Sequence, residues 1–163
     1  MAKLGDVIDY LKYNKVHYEM IEHDPAFSAQ EAAVEFQGQK NNPAKTHIVH
    51  ADGKHYMIVM PAYNRIDDRL LLDVLNANNA RLASDEDIQL IFPECEIGTM
   101  PPFGNLFALP VYVDKMLTDD DMIIFNACSH TRSIRLKMYD FLRLVKPVIA
   151  EFSQSRFEMK EPS

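Results

Sequence analysis

Lys45-Thr46-His47-Ile48-Val49-His50-Ala51-Asp52-Gly53-Lys54-His55-Tyr56-Met57-Ile58-Val59-Met60 reads as two apolar runs around an Asp-Gly pair. A two-residue Asp-Gly loop needs positive φ at its centre, and such turns join antiparallel strands. If Ala51 faces Lys54, the register follows: His50 opposes His55, Val49 opposes Tyr56, His47 opposes Ile58 and Lys45 opposes Met60. Side chains alternate along a strand, so Lys45, His47, Val49, Tyr56, Ile58 and Met60 are expected on one face of a sheet. A single lysine is thereby set beside an apolar wall.

On the N-terminal side, Leu4, Val7, Ile8 and Leu11 fall at helical spacing and predict a helix from Leu4 to Asn14. Tyr18 to Glu22 alternates as a short strand. Ser28-Ala29-Gln30-Glu31 has the form of a capping box and predicts a second helix to Gln37, stopped by Gly38. On the C-terminal side, Leu70, Leu71, Val74 and Leu75 predict a helix over Asp67 to Asn76, and Ser84-Asp85-Glu86-Asp87 caps another to Ile91. Leu109 to Val113, Met122 to Phe125 and Ser133 to Met138 read as strands, and Tyr139 to Val145 as a final helix before Pro147. Strands and helices mix without strict alternation. The expected fold is therefore α/β in the α+β sense, a mixed, largely antiparallel sheet with packed helices.

The chain has 163 residues, 47% of them hydrophobic, which suits one closed core. Residues 1–152 are expected to form that domain, and the polar stretch 153–163 a loose tail. No apolar run approaches the roughly 18 residues of a membrane span. Met1 to Lys12 carries acids and no apolar segment of a leader, so a cytoplasmic location is expected. Cys95 and Cys128 show no C-x-x-C spacing and are expected to be reduced. Seventeen basic against twenty-four acidic residues give a net charge of −7, which argues against coating nucleic acid through a bulk positive field. A nucleic-acid partner would have to be met locally.

Two of only five glycines bracket Gly98-Thr99-Met100-Pro101-Pro102-Phe103-Gly104. Prolines fix φ there and glycines permit close approach, so the loop is either a rigid connection or a presenter of backbone amides to a ligand. It fits neither phosphate-cradling glycine motif. Lys45 is either a lysine snorkelling to solvent or a fixed cation for a phosphate or polarised carbonyl. His130 lies in a polar connection between strands, as a site group or a capped turn residue. His50 and His55 oppose each other while His47 points to the other face, which leaves two ligands for zinc; no metal and no cofactor are expected. Asp119-Asp120-Asp121 lacks the glycine and terminal glutamate of a calcium loop. No G-x-S-x-G elbow is present, so an enzyme of this sequence would position water or a substrate group rather than supply a nucleophile.

Taken in order, several landmarks resemble one family. They are His23-Asp24-Pro25-Ala26-Phe27-Ser28-Ala29-Gln30-Glu31, Pro43-Ala44-Lys45-Thr46, Pro61-Ala62 with Ile66-Asp67, and Leu82-Ala83-Ser84. The Gly98 to Gly104 loop with its G-x-x-x-P core follows, then Val111-Tyr112-Val113-Asp114, and Ser129-His130 with Ser133-Ile134-Arg135-Leu136. Over nearly all of residues 1–150 the chain resembles the YbaK/prolyl-tRNA synthetase-associated domain, the fold of free-standing aminoacyl-tRNA deacylases and of an inserted synthetase editing domain. The resemblance implies trans-editing hydrolysis of an amino acid wrongly esterified to tRNA, with small residues on proline tRNA among the substrates. It implies catalytic roles for Lys45, Gly98, Pro102, Asp114 and His130. It also implies substrate contacts at Phe27, Thr46, Met60, Thr99, Met100, Pro101, Phe103 and Gly104. The partners implied are the tRNA acceptor end and an aminoacyl-tRNA synthetase, with no membrane. Members of this type often have glycine at the position of Cys128. Any tRNA contact is expected at a patch including Lys45, Arg132, Arg135 and Lys137.

Three other classes are open to the residues. One is a catalytically silent binding module of the same fold that recognises aminoacyl-tRNA or a nucleotide. Another is a metal-dependent hydrolase using the hairpin histidines. The third is an interaction protein with no pocket, which the rigid Gly/Pro loop makes less economical.

Overall fold

The computed structural model describes residues 3–24 and 43–155. The helix expected after Ser28, and Phe27, lie outside the described residues. Leu4–Tyr13 forms α1, with Val7 and Leu11 buried one turn apart, and Tyr18–Glu22 forms β1. The hairpin consists of Ala44–Ala51 (β2) and Lys54–Pro61 (β3). Its register pairs Lys45 with Met60, His47 with Ile58, Val49 with Tyr56 and His50 with His55. Asp52 and Gly53 sit at φ 47° and 84°, the left-handed pair that a primed turn requires.

Asn64–Ile66 (β4) leads into α2, Asp68–Leu75, where the Asp67 carboxylate accepts from the Leu70 amide at 3.1 Å. Ala80–Leu82 (β5) is followed by α3, Asp85–Ile91, capped by Ser84 Oγ accepting from the Asp87 amide at 3.1 Å. Then come Val111–Asp114 (β6), Met122–Ser129 (β7), Arg132–Lys137 (β8), Met138–Val145 (α4), Val148–Ala150 (β9) and Ser153–Ser155 (β10). Two 3₁₀ turns, Gly104–Phe107 and Lys115–Asp119, flank β6.

Five strands form a sheet in the order β5-β2-β3-β6-β9, and three form another in the order β1-β8-β7. The β2/β3 and β2/β5 pairs are antiparallel, whereas β3/β6 and β6/β9 are parallel. The architecture is thus a mixed, largely antiparallel sheet with packed helices. Both faces of the hairpin are covered, which is why its strands read as almost unbroken apolar runs. Ile48, Met57 and Val59 join Val7, Leu11, Phe103, Phe125 and Phe141 in one core, while Val49, Ile58 and Met60 join Leu71, Leu75 and Phe152 in a second.

Three expectations change. Residues 153–155 are no tail: they pair antiparallel with β4, and Ser153 is buried. Met138 opens α4 instead of closing β8: its amide makes a last ladder-like bond to Asp121 O at 2.8 Å, and the helix starts at that residue with the extended Lys137 as its N-cap. Cys95 and Cys128 are joined as a disulfide with their Cα atoms 4.1 Å apart. Tertiary contacts hidden from the spacing bring them together: the Glu96 amide donates to Cys128 O and the Cys128 amide to Thr99 O. Cys128 adopts φ 60°, in the region that glycine occupies most easily, beside an irregularity in the β7/β8 register between Asn126 and Ser129.

Candidate active site

β5 covers the outer edge of β2 only along 49–51, and the last contact is the Ala83 amide donating to Ile48 O at 2.8 Å. Beyond that point Lys45, Thr46 and His47 lie past the end of β5. The loop before Gly104 passes this stretch, and a cavity of about 220 Å³ opens between them. Lys45, Thr46 and His47 line it from the strand, Ile97, Gly98 and Met100 from the loop, and Asp85 and Ile88 from α3.

Lys45 Nζ donates to the Gly98 carbonyl at 2.7 Å, tying strand to loop. Burial pushes the ammonium pKa down from its ordinary value. Gly98 has φ 86°, and a Cβ there would stand 3.1 Å from Lys45 Nζ, so both its conformation and its neighbour call for glycine. Thr46 is 4% exposed, and its hydroxyl has no hydrogen-bond partner among the described residues.

His47 is a cavity residue that the strand reading passed over, because its parity was weighed only against a zinc cluster. Burial first, and the nearby Lys45 ammonium second, push its imidazole from 6.5 down to about 4, so it is neutral at physiological pH. The unfolded chain takes up this proton below 6.5, whereas the folded chain resists until about 4. Stability is therefore expected to fall as pH drops across that window, by roughly 2–3 kcal/mol from this group. Urea midpoints of wild type and His47→Gln between pH 7.5 and 4.5 check it: the variant should lose less on acidification, and parallel curves would contradict the assignment.

The remaining site candidates separate by position. Met100 lines the cavity. Thr99 is buried, with its amide and hydroxyl both donating to Glu96 O at 3.1 Å and 2.6 Å. Pro101 and Pro102 are buried, and Pro101 O accepts from the Phe103 amide at 2.9 Å. Phe103 is a core residue in edge-to-face contact with Tyr10, Phe125 and Phe141. Gly104 is required by packing, since a Cβ would meet Val111 Cγ2 at 2.9 Å. Met60 lies in the second core, opposite Lys45 across the hairpin.

His130 stands beside the loop and outside the cavity lining. Its side chain is 52% exposed, with Nε2 4.0 Å from a Glu96 carboxylate oxygen that also accepts the His130 amide at 2.7 Å. Asp114 is 1% exposed and lies two strands from Lys45, on β6. Its carboxylate accepts from Met116 N at 2.9 Å, Phe152 N at 3.1 Å and Ser153 Oγ at 2.7 Å. The basic patch is partly neutralised: Arg135 NH1 is 3.7 Å from Glu19, and Arg132 is in register with Glu22. At the hairpin histidines, the His50 and His55 rings pack edge to face at 5.0 Å, and His55 Nε2 is 3.8 Å from Asp87. A second cavity, about 400 Å³, lies near the turn between His50, Asp52, Asn79 and Arg81.

No helix among the described residues is long and apolar enough to cross a membrane. The family model of the aminoacyl-tRNA editing domain matches residues 23–144. The chain is 25% identical over 146 residues to a prolyl-tRNA editing protein, ProX, of Acetoanaerobium sticklandii, covering 86% of this chain and 88% of that protein. It is 28% identical over 103 residues to the multifunctional Ser/Thr-tRNA deacylase ProXp-y of Escherichia coli, covering 63% of this chain and 61% of that one. A structure solved as a candidate trans-editing enzyme for prolyl tRNA synthetase superposes with a TM-score of 0.80 at 20% identity, over 93% of this chain and 96% of that one. At that identity the likeness speaks for the fold.

Proposed function

The chain belongs to the aminoacyl-tRNA editing domain family, and from that premise we propose that it is a trans-acting deacylase that hydrolyses the ester between a wrongly attached amino acid and the tRNA 3′ end. The observation that carries the reading is the 2.7 Å bond from Lys45 to Gly98 across a cavity that both residues line. A cation and a stiff backbone loop then meet the same small substrate.

An aminoacyl ester is already activated and carries a neighbouring ribose hydroxyl, so its hydrolysis needs positioning and charge stabilisation more than a protein nucleophile. Lys45 holds the terminal adenosine through its phosphate or ribose. Water, oriented with help from the free ribose hydroxyl, adds to the ester carbon and leaves negative charge on the former carbonyl oxygen. Within Gly98 to Pro102 the prolines have no N–H and the Thr99 amide is committed to Glu96 O, so the Gly98 and Met100 amides are the donors left for that oxyanion. Collapse expels the ribose oxygen, which takes up the proton that the attacking water gives up, and releases free amino acid and tRNA. Asp114 supports the sheet beneath the site, and His130 flanks the loop where the tRNA end enters.

A cavity of about 220 Å³ suits a small aminoacyl group. Together with the names of the relatives, this favours alanine-sized or hydroxyl-bearing amino acids, with proline tRNA as carrier and the cytoplasm, where synthetases mischarge tRNA, as the setting. A synthetase is the partner that would deliver the substrate. The test is a deacylation panel of mischarged tRNAs. Hydrolysis of at least one small-residue ester well above the buffer rate is expected. Binding without turnover across the panel would instead make the protein a silent binding module.

A further inference from the structure

An aminoacyl ester brings a second charge besides its phosphates: the α-ammonium group, one carbon from the scissile carbonyl. Whatever cavity receives the ester must either leave that cation in water or give it a partner, since an unpaired buried charge is strongly disfavoured. Apart from the Lys45 cation, the walls offered by Ile48, Leu82, Ala83, Ile88, Ile97 and Met100 are apolar, and His47 is neutral. Among the described residues, Asp85 is the one carboxylate lining the cavity.

We propose that Asp85 binds the α-ammonium group of the aminoacyl ester, so that the site selects esters with a free amine over N-acylated ones. The proposal rests on reading this cavity as the aminoacyl site. The backbone of Asp85 is set as the first residue of α3, directly after the capping Ser84, and its side chain is exposed. Its acidic neighbours serve elsewhere: Asp87 faces His55 at 3.8 Å, and Glu86 does not line the cavity. Thr46 lies on a wall of the same cavity, but its hydroxyl is buried beneath the surface, so Asp85 is the acceptor that the lining offers. Opposite charges at Lys45 and Asp85 thus match the opposite charges of the substrate end and set its orientation, phosphate toward the strand and amine toward the helix.

The experiment compares kcat/KM for the best-hydrolysed aminoacyl-tRNA and for the same tRNA with its amine acetylated, each divided by that ester's own uncatalysed hydrolysis rate, because a free α-ammonium group activates the ester by itself. Wild type should prefer the free amine by about 10-fold or more, the range of one charge-assisted contact. Asp85→Asn should bring the ratio near one by slowing the free-amine substrate while leaving the acetylated one unchanged. Asp85→Glu should restore much of the preference, and Glu86→Gln should match wild type, which separates a local contact from the general field of α3. An Asp85→Asn enzyme with the wild-type ratio, or a wild type indifferent to acetylation, would overturn the role of Asp85 while leaving the deacylase intact. A wild type that hydrolyses no aminoacyl-tRNA would overturn the functional reading and this proposal with it.

Discussion

Lys45→Ala is expected to lower kcat/KM for deacylation by about 10²-fold or more, the scale on which a substrate no longer held in its reactive position loses rate. The same change should cost only about 1 kcal/mol of stability, the worth of a single hydrogen bond to the Gly98 carbonyl. That asymmetry follows from where the side chain sits. Lys45 is half-buried at the end of a paired strand segment, and its ammonium contributes to the cavity rather than to either core. Lys45→Met keeps most of the apolar stem and should be as inactive as the alanine variant. Single-turnover hydrolysis and urea unfolding on the same preparations read the two effects separately. Wild-type hydrolysis by either variant would contradict the assignment.

Asp114→Ala is expected to do the reverse, destabilising the protein by about 3–5 kcal/mol, because a buried anion with three donors is removed and those donors are left facing a void. The Phe152 amide, the Ser153 hydroxyl and the Met116 amide all depend on this one carboxylate. Losing it unfastens the 152–153 segment from β6 and loosens β10, which pairs with β4. Asp114→Asn keeps the shape but turns an N–H₂ group toward donors, so an intermediate loss is expected. Assayed well below its unfolding midpoint, Asp114→Asn should keep activity within about 10-fold of wild type, since its contacts are to backbone and serine rather than to the cavity. A folded Asp114→Asn as inactive as Lys45→Ala would place the carboxylate in the chemistry after all.

The hairpin was legible residue by residue because one Asp-Gly pair sets a register and a period of two carries it along both strands. The cap at Ser84 was legible for a similar reason: it is a local hydrogen bond between neighbours in sequence. The short strands β4, β5, β9 and β10 were not, since three residues carry no period and owe their conformation to partners far along the chain. Ser153, paired with Ile66, is polar in sequence and buried in space for this reason. The Cys95–Cys128 bond escaped notice likewise, because two cysteines separated by 33 positions meet only once the loop before Gly98 docks on the irregular end of β7. At the site, Lys45 and the glycine loop were visible as residue types, and the ordered landmarks tied them to one family. His47 and Asp85 were not visible as site residues: the first was weighed only as a metal ligand and the second only as part of a helix cap. Both acquire a role from a cavity wall that the edge of β2, the loop and α3 build together.

The most direct measurement is a titration of isotope-labelled protein with the alanyl amide of 3′-amino-3′-deoxyadenosine, a mimic of the charged tRNA end that does not hydrolyse. Saturable amide shifts clustered at Lys45, Thr46, Gly98 and Met100 are predicted, and they should be lost in Lys45→Ala. Shifts centred instead on His50, Asn79 and Arg81 in the cavity near the turn, with Lys45 and Gly98 unmoved, would contradict the grip of strand and loop on the aminoacyl end.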